Sequence, residues 1–315
     1  MRTNIARLDS NQNIFFARQL ENIDAKNYET LFAGMLGRRF IPAIEGVPEW
    51  ANVYTYRMYE ETGRAKIIGS GANDLPRVGV KATEASRIIK QIGVSYGWLV
   101  REIQQAAATG APLDEMTIMA ARSAVARETD DLLATGNTLF AILGLLNQTG
   151  VTVDTAGLKT GGGTTWLGAG ATSDEILLDI NTLVSNLRAG LKQADAQVPQ
   201  FGRFTLLVPS LQYAKIATKA RSSTSDTTIL KFALMNNPWI ESIEEWHKTD
   251  GAGVAGVDRM VAYPRDPLWG GALVPQEFTS LPPQEEGLGI VVPATGSCGG
   301  VVVRYPVAMR YQDGV

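Results

Sequence analysis

The stretch "DDLLATGNTLFAILGLLNQTGV", residues 130–151, decides how the rest of the chain is read. It opens as the charged end of a helix and turns at Gly136 into an apolar run punctuated by Gly144 and Gly150. Nothing in the run is equipped for catalysis. Its most apolar part, Leu139–Leu146, is about half of the ~18 residues that cross a membrane, and it stops at Asn147. Glycine ends helices because it alone enters the left-handed conformation without a Cβ penalty. The stretch is therefore expected to be a turn from a long helix into closely packed backbone, with Gly136, Gly144 and Asn147 as its marker residues.

Working upstream, "LDEMTIMAARSAVARETDDLLAT" predicts a helix over 113–135, entered after Pro112 and stopped by Gly136. Asp114 and Glu115 sit in its first turn, where the helix dipole favours acids, and Ala120, Ala121, Ala124 and Ala126 allow close approach of a neighbour. Residues 98–109 predict a shorter helix closed by Gly110. Before it, "ANVYTYRMYEETGRAKIIG" alternates, with Val53, Thr55, Arg57 and Tyr59 on one face and Tyr54, Tyr56 and Met58 on the other. A polar turn, "SGANDLPRVG", leads into the extended "VKATEASRIIKQIGVSYG", so residues 51–97 read as one long hairpin. A two-stranded ribbon is marginal in water, and this one has too few apolar residues to form its own core. It needs a partner surface, on this chain or on another copy. Residues 1–50, with scattered aromatics and Pro42 and Pro48, read as an arm with short helical pieces that lies on another surface.

Downstream, "TSDEILLDINTLVSNLRAGLKQ" predicts an amphipathic helix with a capping box of Thr172 and Glu175 and a buried stripe of Leu177, Ile180, Leu183, Val184, Leu187 and Leu191. "RFTLLVPS" predicts a buried strand ended by Pro209, with a helix after it. "DTTILKFALMNNPWIESIEEW" reads as a second alternation and "DRMVAYPRDP" as a strand, which makes 172–265 one α/β subdomain. The tail is strand-rich, and "GGVVVRYPVAMRY" is its strongest strand signal.

The 315 residues are 45% hydrophobic and 19% charged, a globular composition with little charge to spare. A net charge of −3 argues against a protein whose main task is gripping phosphate backbones. One cysteine, Cys298, excludes an internal disulfide, and one histidine, His247, excludes the usual histidine-rich metal site. The N-terminal residues mix charges and lack the apolar core of a signal peptide, so a soluble protein is expected.

The glycine runs between Gly161 and Gly170 precede a helix, the place where backbone N–H groups can hold phosphate, but no Walker lysine follows and the dinucleotide spacing is incomplete. A mobile loop before an ordinary N-cap is the plainer reading; a nucleotide-dependent enzyme is the remote alternative. His247 beside Glu244 and Glu245 reads as a surface turn, and Cys298 as a small buried or semi-buried side chain. Adjacent acids such as Glu60/Glu61, Asp130/Asp131 and Glu285/Glu286 point in different directions and do not share a site. No cofactor or metal is expected. Basic residues concentrate in the arm and hairpin (Arg38, Arg39, Arg57, Arg64, Lys66, Arg77, Lys81, Arg87, Lys90) and acids in the two helices after it, an asymmetry suited to contacts between copies.

Arm, unsupported hairpin, long helix, the passage in which Gly136-Asn137 precedes "GLLN" at 144–147, α/β subdomain and returning strands succeed one another in an order that resembles the major capsid proteins of tailed bacteriophages. This is the Hong Kong 97 capsid fold, shared with encapsulin nanocompartments and the floor domain of herpesvirus capsid proteins. "RFTLLVPSLQYAKIAT" is similar to the family's apical strand and helix. The resemblance implies a mixed α+β fold with an N-terminal arm over 1–50 and an extended E-loop over 51–97. It further implies a peripheral domain over 98–171 and 266–315, containing the spine helix, and an axial domain over 172–265. It implies no catalysis but self-assembly, as hexamers and pentamers of an icosahedral head around double-stranded DNA, in the host bacterial cytoplasm and with scaffolding, portal or decoration proteins. An encapsulin-type shell loading an enzyme is the alternative. The E-loop residues Lys66, Gly69, Asn73, Pro76, Arg77 and Lys81 become candidates for inter-subunit contact. Some members cross-link subunits through an E-loop lysine and an asparagine. Lys66 and Lys81 flank the hairpin, yet no asparagine or catalytic acid matches, so no cross-link is expected.

Overall fold

The computed structural model describes residues 34–67, 75–109, 113–194, 201–224 and 226–315, and Met35–Val315 form one compact unit. Most of the expected arm, residues 1–33, lies outside the described residues. Its last part is firmly seated. The short helix α1 (Gly37–Phe40) is tied to the body through the Gly37 N–H, which donates to Asp130 at 2.7 Å, and Phe40 stacks edge-on against Trp246.

Strand β1 (Val53–Thr62) pairs antiparallel with β2 (Gly79–Ile88), in register from Val53 opposite Ile88 to Thr62 opposite Gly79. The expected return strand is in fact two strands. The chain leaves the ribbon at the buried Ile89, and β3 (Lys90–Leu99) pairs along its whole length with β13 (Gly289–Cys298) in another sheet. Periodicity could not show this, because the alternation runs on through Ile89 while the partner changes.

Helices α2 (Val100–Thr109) and α3 (Leu113–Ala134) come next. The spine helix α3 lies against β3 and β13 and buries Ala121, Val125, Thr129, Leu132 and Leu133. After it come two-residue strands, β4 (Gly136–Asn137) and β5 (Ile142–Leu143), a single helical turn at Leu145–Asn147, and β6 (Thr152–Thr155). Helix α4 (Ser173–Ala194) buries all six residues of the expected stripe, together with Ile176. Its capping box is formed as expected: the Thr172 N–H donates to Glu175 at 2.8 Å and the Glu175 N–H to Thr172 Oγ1 at 3.3 Å.

Strand β7 (Phe204–Val208) is wholly buried and is followed by α5 (Ser210–Thr218). The expected alternation after it is corrected. Residues Ile229–Asn236 form helix α6, whose N-cap Thr228 accepts from the Lys231 N–H, and only β8 (Ile240–Glu245) is a strand. An eight-residue apolar helix shows too little of its 3.6-residue period to be distinguished from a strand. The chain continues with β9 (Arg259–Tyr263), β10 (Gly270–Ala272), β11 (Gln276–Ser280), β12 (Gln284–Glu286), β13, β14 (Val301–Val303) and β15 (Arg310–Asp313).

Two sheets organise these elements. In one, β11 and β12 share one edge of β13 while β3 takes the other. The second runs β6-β15-β9-β7-β8, parallel at β15/β6 and β7/β8 and antiparallel elsewhere. The strand signal "GGVVVRYPVAMRY" therefore splits: β14 pairs with β10, whereas β15 sits inside the five-stranded sheet. Residues 172–265 do not close that sheet alone, since β6 and β15 come from outside the span. One main hydrophobic core unites this sheet, α4 and the end of α3; a satellite cluster of Ile89, Leu273 and Val302 supports the foot of the ribbon.

Candidate self-association surface

The foot of the β1–β2 ribbon is held by its own chain. Tyr54 and Tyr56 pack on the satellite cluster, the Arg304 guanidinium donates to Tyr54 Oη at 3.2 Å, and Tyr56 Oη donates to the Val303 carbonyl at 3.4 Å. Beyond Met58 most described side chains of the ribbon are exposed. Tyr59, Val78 and Val80 are each 67% exposed, and Ile67 and Leu75 are exposed as well. Arg57 faces Glu84 across the strands at 3.7 Å, both well exposed, and Glu60 stands opposite Lys81. Lys66, Pro76, Arg77 and Lys81 are all exposed, while Gly69 and Asn73 lie outside the described residues. An apolar and basic ribbon so placed is an association surface in chemical character, since it offers burial, steering charge and unpaired strand edges together.

The turn after the spine helix is built quite differently. Gly136 has φ +68°, and a Cβ there would overlap the Ile142 carbonyl oxygen; one on Gly144 would overlap the Ala134 carbonyl. Asn147 closes the turn, its Nδ2 donating to the Thr135 carbonyl at 2.6 Å and its Oδ1 accepting the Gly144 N–H at 2.7 Å. The next residue, Gln148, donates through Nε2 to the Gly144 and Val301 carbonyls. The buried Arg259–Asp313 pair, at 2.6 Å, also reaches this turn, with Arg259 Nη1 donating to the Leu146 carbonyl at 2.6 Å. Tyr311 Oη donates to the Leu145 carbonyl at 2.5 Å, and burial raises its hydroxyl pKa well above the ordinary value. The turn thus fastens the spine helix to β9 and β15, leaving Leu139 and Phe140 exposed at its tip.

The glycine loop is pinned rather than mobile. Trp166 is fully buried and its Nε1 donates to Asp179 at 2.7 Å; Lys159 Nζ meets the same carboxylate at 2.5 Å and also donates to the Gly157 carbonyl. These tryptophan and lysine roles carry no local motif and could not be read in advance. The helix N-terminus after the loop is already occupied by an anion. Glu175 accepts from Thr160 Oγ1, the Thr172 N–H and the Thr160 N–H, and these bonds lower its pKa to about 2. A phosphate would meet that carboxylate, so the loop does not suit a nucleotide.

The remaining candidates are quiet. His247 lies in a half-buried helical turn. Cys298 is fully buried, and burial raises its thiol pKa to about 11. Among the described residues no cluster of three or more His, Cys, Asp or Glu could hold a metal, and no helix is long and apolar enough to cross a membrane.

A projecting ribbon, a spine helix on a four-stranded sheet and a helix-flanked five-stranded sheet define a Hong Kong 97-type capsid fold, and solved structures agree. The capsid of Myoviridae phage XM1 superposes with a TM-score of 0.81 at 20% identity, covering 96% of this chain and 100% of that one. The capsid of an empty GTA particle gives 0.62 at 11% identity over 94% and 95% of the two chains, and Mycobacterium phage Ogopogo 0.59 at 10% over 96% and 99%. No curated relative matches the sequence. Residues 63–315 match the major capsid protein family, and the chain belongs to it: this is a major capsid protein of phage-like particles, a structural protein whose copies associate into a shell.

Proposed function

We propose that copies of this chain assemble as hexamers and pentamers into an icosahedral head that encloses double-stranded DNA, formed in the host bacterial cytoplasm with the help of scaffolding, portal or decoration proteins. The observation that carries this reading is the β1–β2 ribbon, whose outer half exposes Tyr59, Val78 and Val80 with no cover from the described residues. Such a ribbon gains stability only when a second surface covers it. In this reading the outer ribbon, including Lys66, Gly69, Asn73, Pro76, Arg77 and Lys81, lies across a neighbouring subunit. The sheet containing β3 and β13, with α3, forms the peripheral domain, and the five-stranded sheet with α4, α5 and α6 the axial domain.

Electron microscopy of the purified protein tests the proposal: closed shells built of six-fold and five-fold clusters are expected, and monomers or dimers under all conditions would overturn it. Deleting residues 69–76 should leave the subunit folded and abolish particles. A co-purifying enzyme cargo in place of DNA would transfer the same assembly to a compartment shell.

A further inference from the structure

Between α4 and α6, away from the ribbon, lies a cleft of about 220 Å³. Its floor is apolar, made by the buried Leu177 and Ala233, and Trp239 forms one wall. The Arg188 guanidinium sits 3.8 Å from the Trp239 ring centroid and fixes the indole, of which 38% remains exposed.

The three asparagines above this floor have their orientations set by bonds within the chain. Asn237 accepts the Trp239 N–H at 3.1 Å and donates through Nδ2 to Asn181 Oδ1 at 3.0 Å, which leaves Asn181 Nδ2 as an unused donor. Asn236 spends Nδ2 on the Phe232 carbonyl at 3.0 Å, so its Oδ1 is left as an acceptor. Ser185 Oγ has no bond to the described residues and can serve as either. No acid or base lines the cleft.

Uncharged donors and acceptors over an apolar floor, beside an oriented indole, suit a ring that is apolar on its faces and hydroxylated on its rim. We propose that this cleft binds a neutral pyranose unit of a saccharide. The Arg188 charge is stacked on the indole and is not part of the lining, and a cleft of this volume holds one ring rather than an extended peptide. Binding at one cleft is weak by construction, because few contacts are made. Repetition over a shell would strengthen attachment to a polysaccharide by roughly 10²–10⁴. That strengthening rests on the shell reading; the single-site binding does not.

The test uses the full-length subunit in saturation-transfer NMR with the methyl glycosides of glucose, galactose, mannose and N-acetylglucosamine as probes. At least one probe should receive transfer that free sugar competes away. The signal should fall at least about tenfold in the surface double variant Ser185→Ala/Asn236→Ala, whose melting curve should match the parent's, and disappear in Trp239→Ala. Silence from all four probes, an undiminished signal in the double variant, or capture of a protein partner that sugar does not displace would each overturn the proposal. Binding by a subunit that never forms particles would instead sink the shell reading and leave the saccharide site standing.

Discussion

The β1–β2 ribbon and the five-stranded sheet are made of similar residues and have opposite fates. β7 is "FTLLV" and β9 is "RMVAY", and every residue in both is buried. β1 is "VYTYRMYEET", at least as rich in aromatic and β-branched residues, and none of its residues is buried. Strand propensity is common to both; cover is not. The sheet has α4 against β9 and β15 and α5 and α6 against β8, whereas Tyr59, Val78 and Val80 of the outer ribbon stay 67% exposed. Each apolar side chain moved fully out of water contributes roughly 1.5–3 kcal/mol, so the two regions contribute to stability at different stages, one on folding and the other on association.

That contrast is broken most sharply inside the covered region. Asp179→Ala would leave Lys159 buried without its partner and Trp166 without its acceptor, and chemical denaturation should show a loss of about 3–5 kcal/mol. Gly136→Ala comes next. A left-handed residue with a Cβ costs roughly 1–2 kcal/mol before the overlap with the Ile142 carbonyl is counted, and the melting temperature should fall accordingly.

An intermediate, pH-dependent effect is expected at the cap of α4. The Glu175 carboxyl is held down from 4.5 to about 2, chiefly by Thr160 Oγ1 and the Thr172 N–H, so its contribution is present above pH 4.5 and is lost as the pH falls towards 2. In Glu175→Gln that part of the acid dependence should vanish; an unchanged acid-unfolding curve would remove Glu175 as its source. The smallest effect on the subunit belongs to the ribbon. Tyr59→Ser/Val80→Ser should shift subunit stability by no more than about 0.5 kcal/mol while particle yield collapses, as sedimentation would show. Equal losses of stability and assembly would mean that the ribbon is covered by its own chain.

How much could be read in advance depends on the range of the interaction. The capping box of Thr172 and Glu175, the stripe of α4, the extent of α3 and the burial of β7 are set by residues a few positions apart, and they stand as the patterns imply. The misread elements depend on partners far along the chain. Ile89 ends one pairing and starts another because β13 waits some two hundred residues later. Residues 229–236 are helical against β8 although so short an apolar run shows no clear period, and Thr228 was the available capping signal. Lys159 and Trp166 acquire meaning only when Asp179 is brought to them.

By itself the sequence determined the kinds of element, their order, the glycines that end the spine helix, and the presence of a ribbon too poor in apolar residues to stand alone. Only the tertiary structure decided that β15 enters the five-stranded sheet between β6 and β9, that the glycine loop is fastened at Asp179, and where along the ribbon cover ends. The physical reason is that propensity, capping and periodicity act between near neighbours, while strand pairing and the removal of surface from water depend on which distant segments meet.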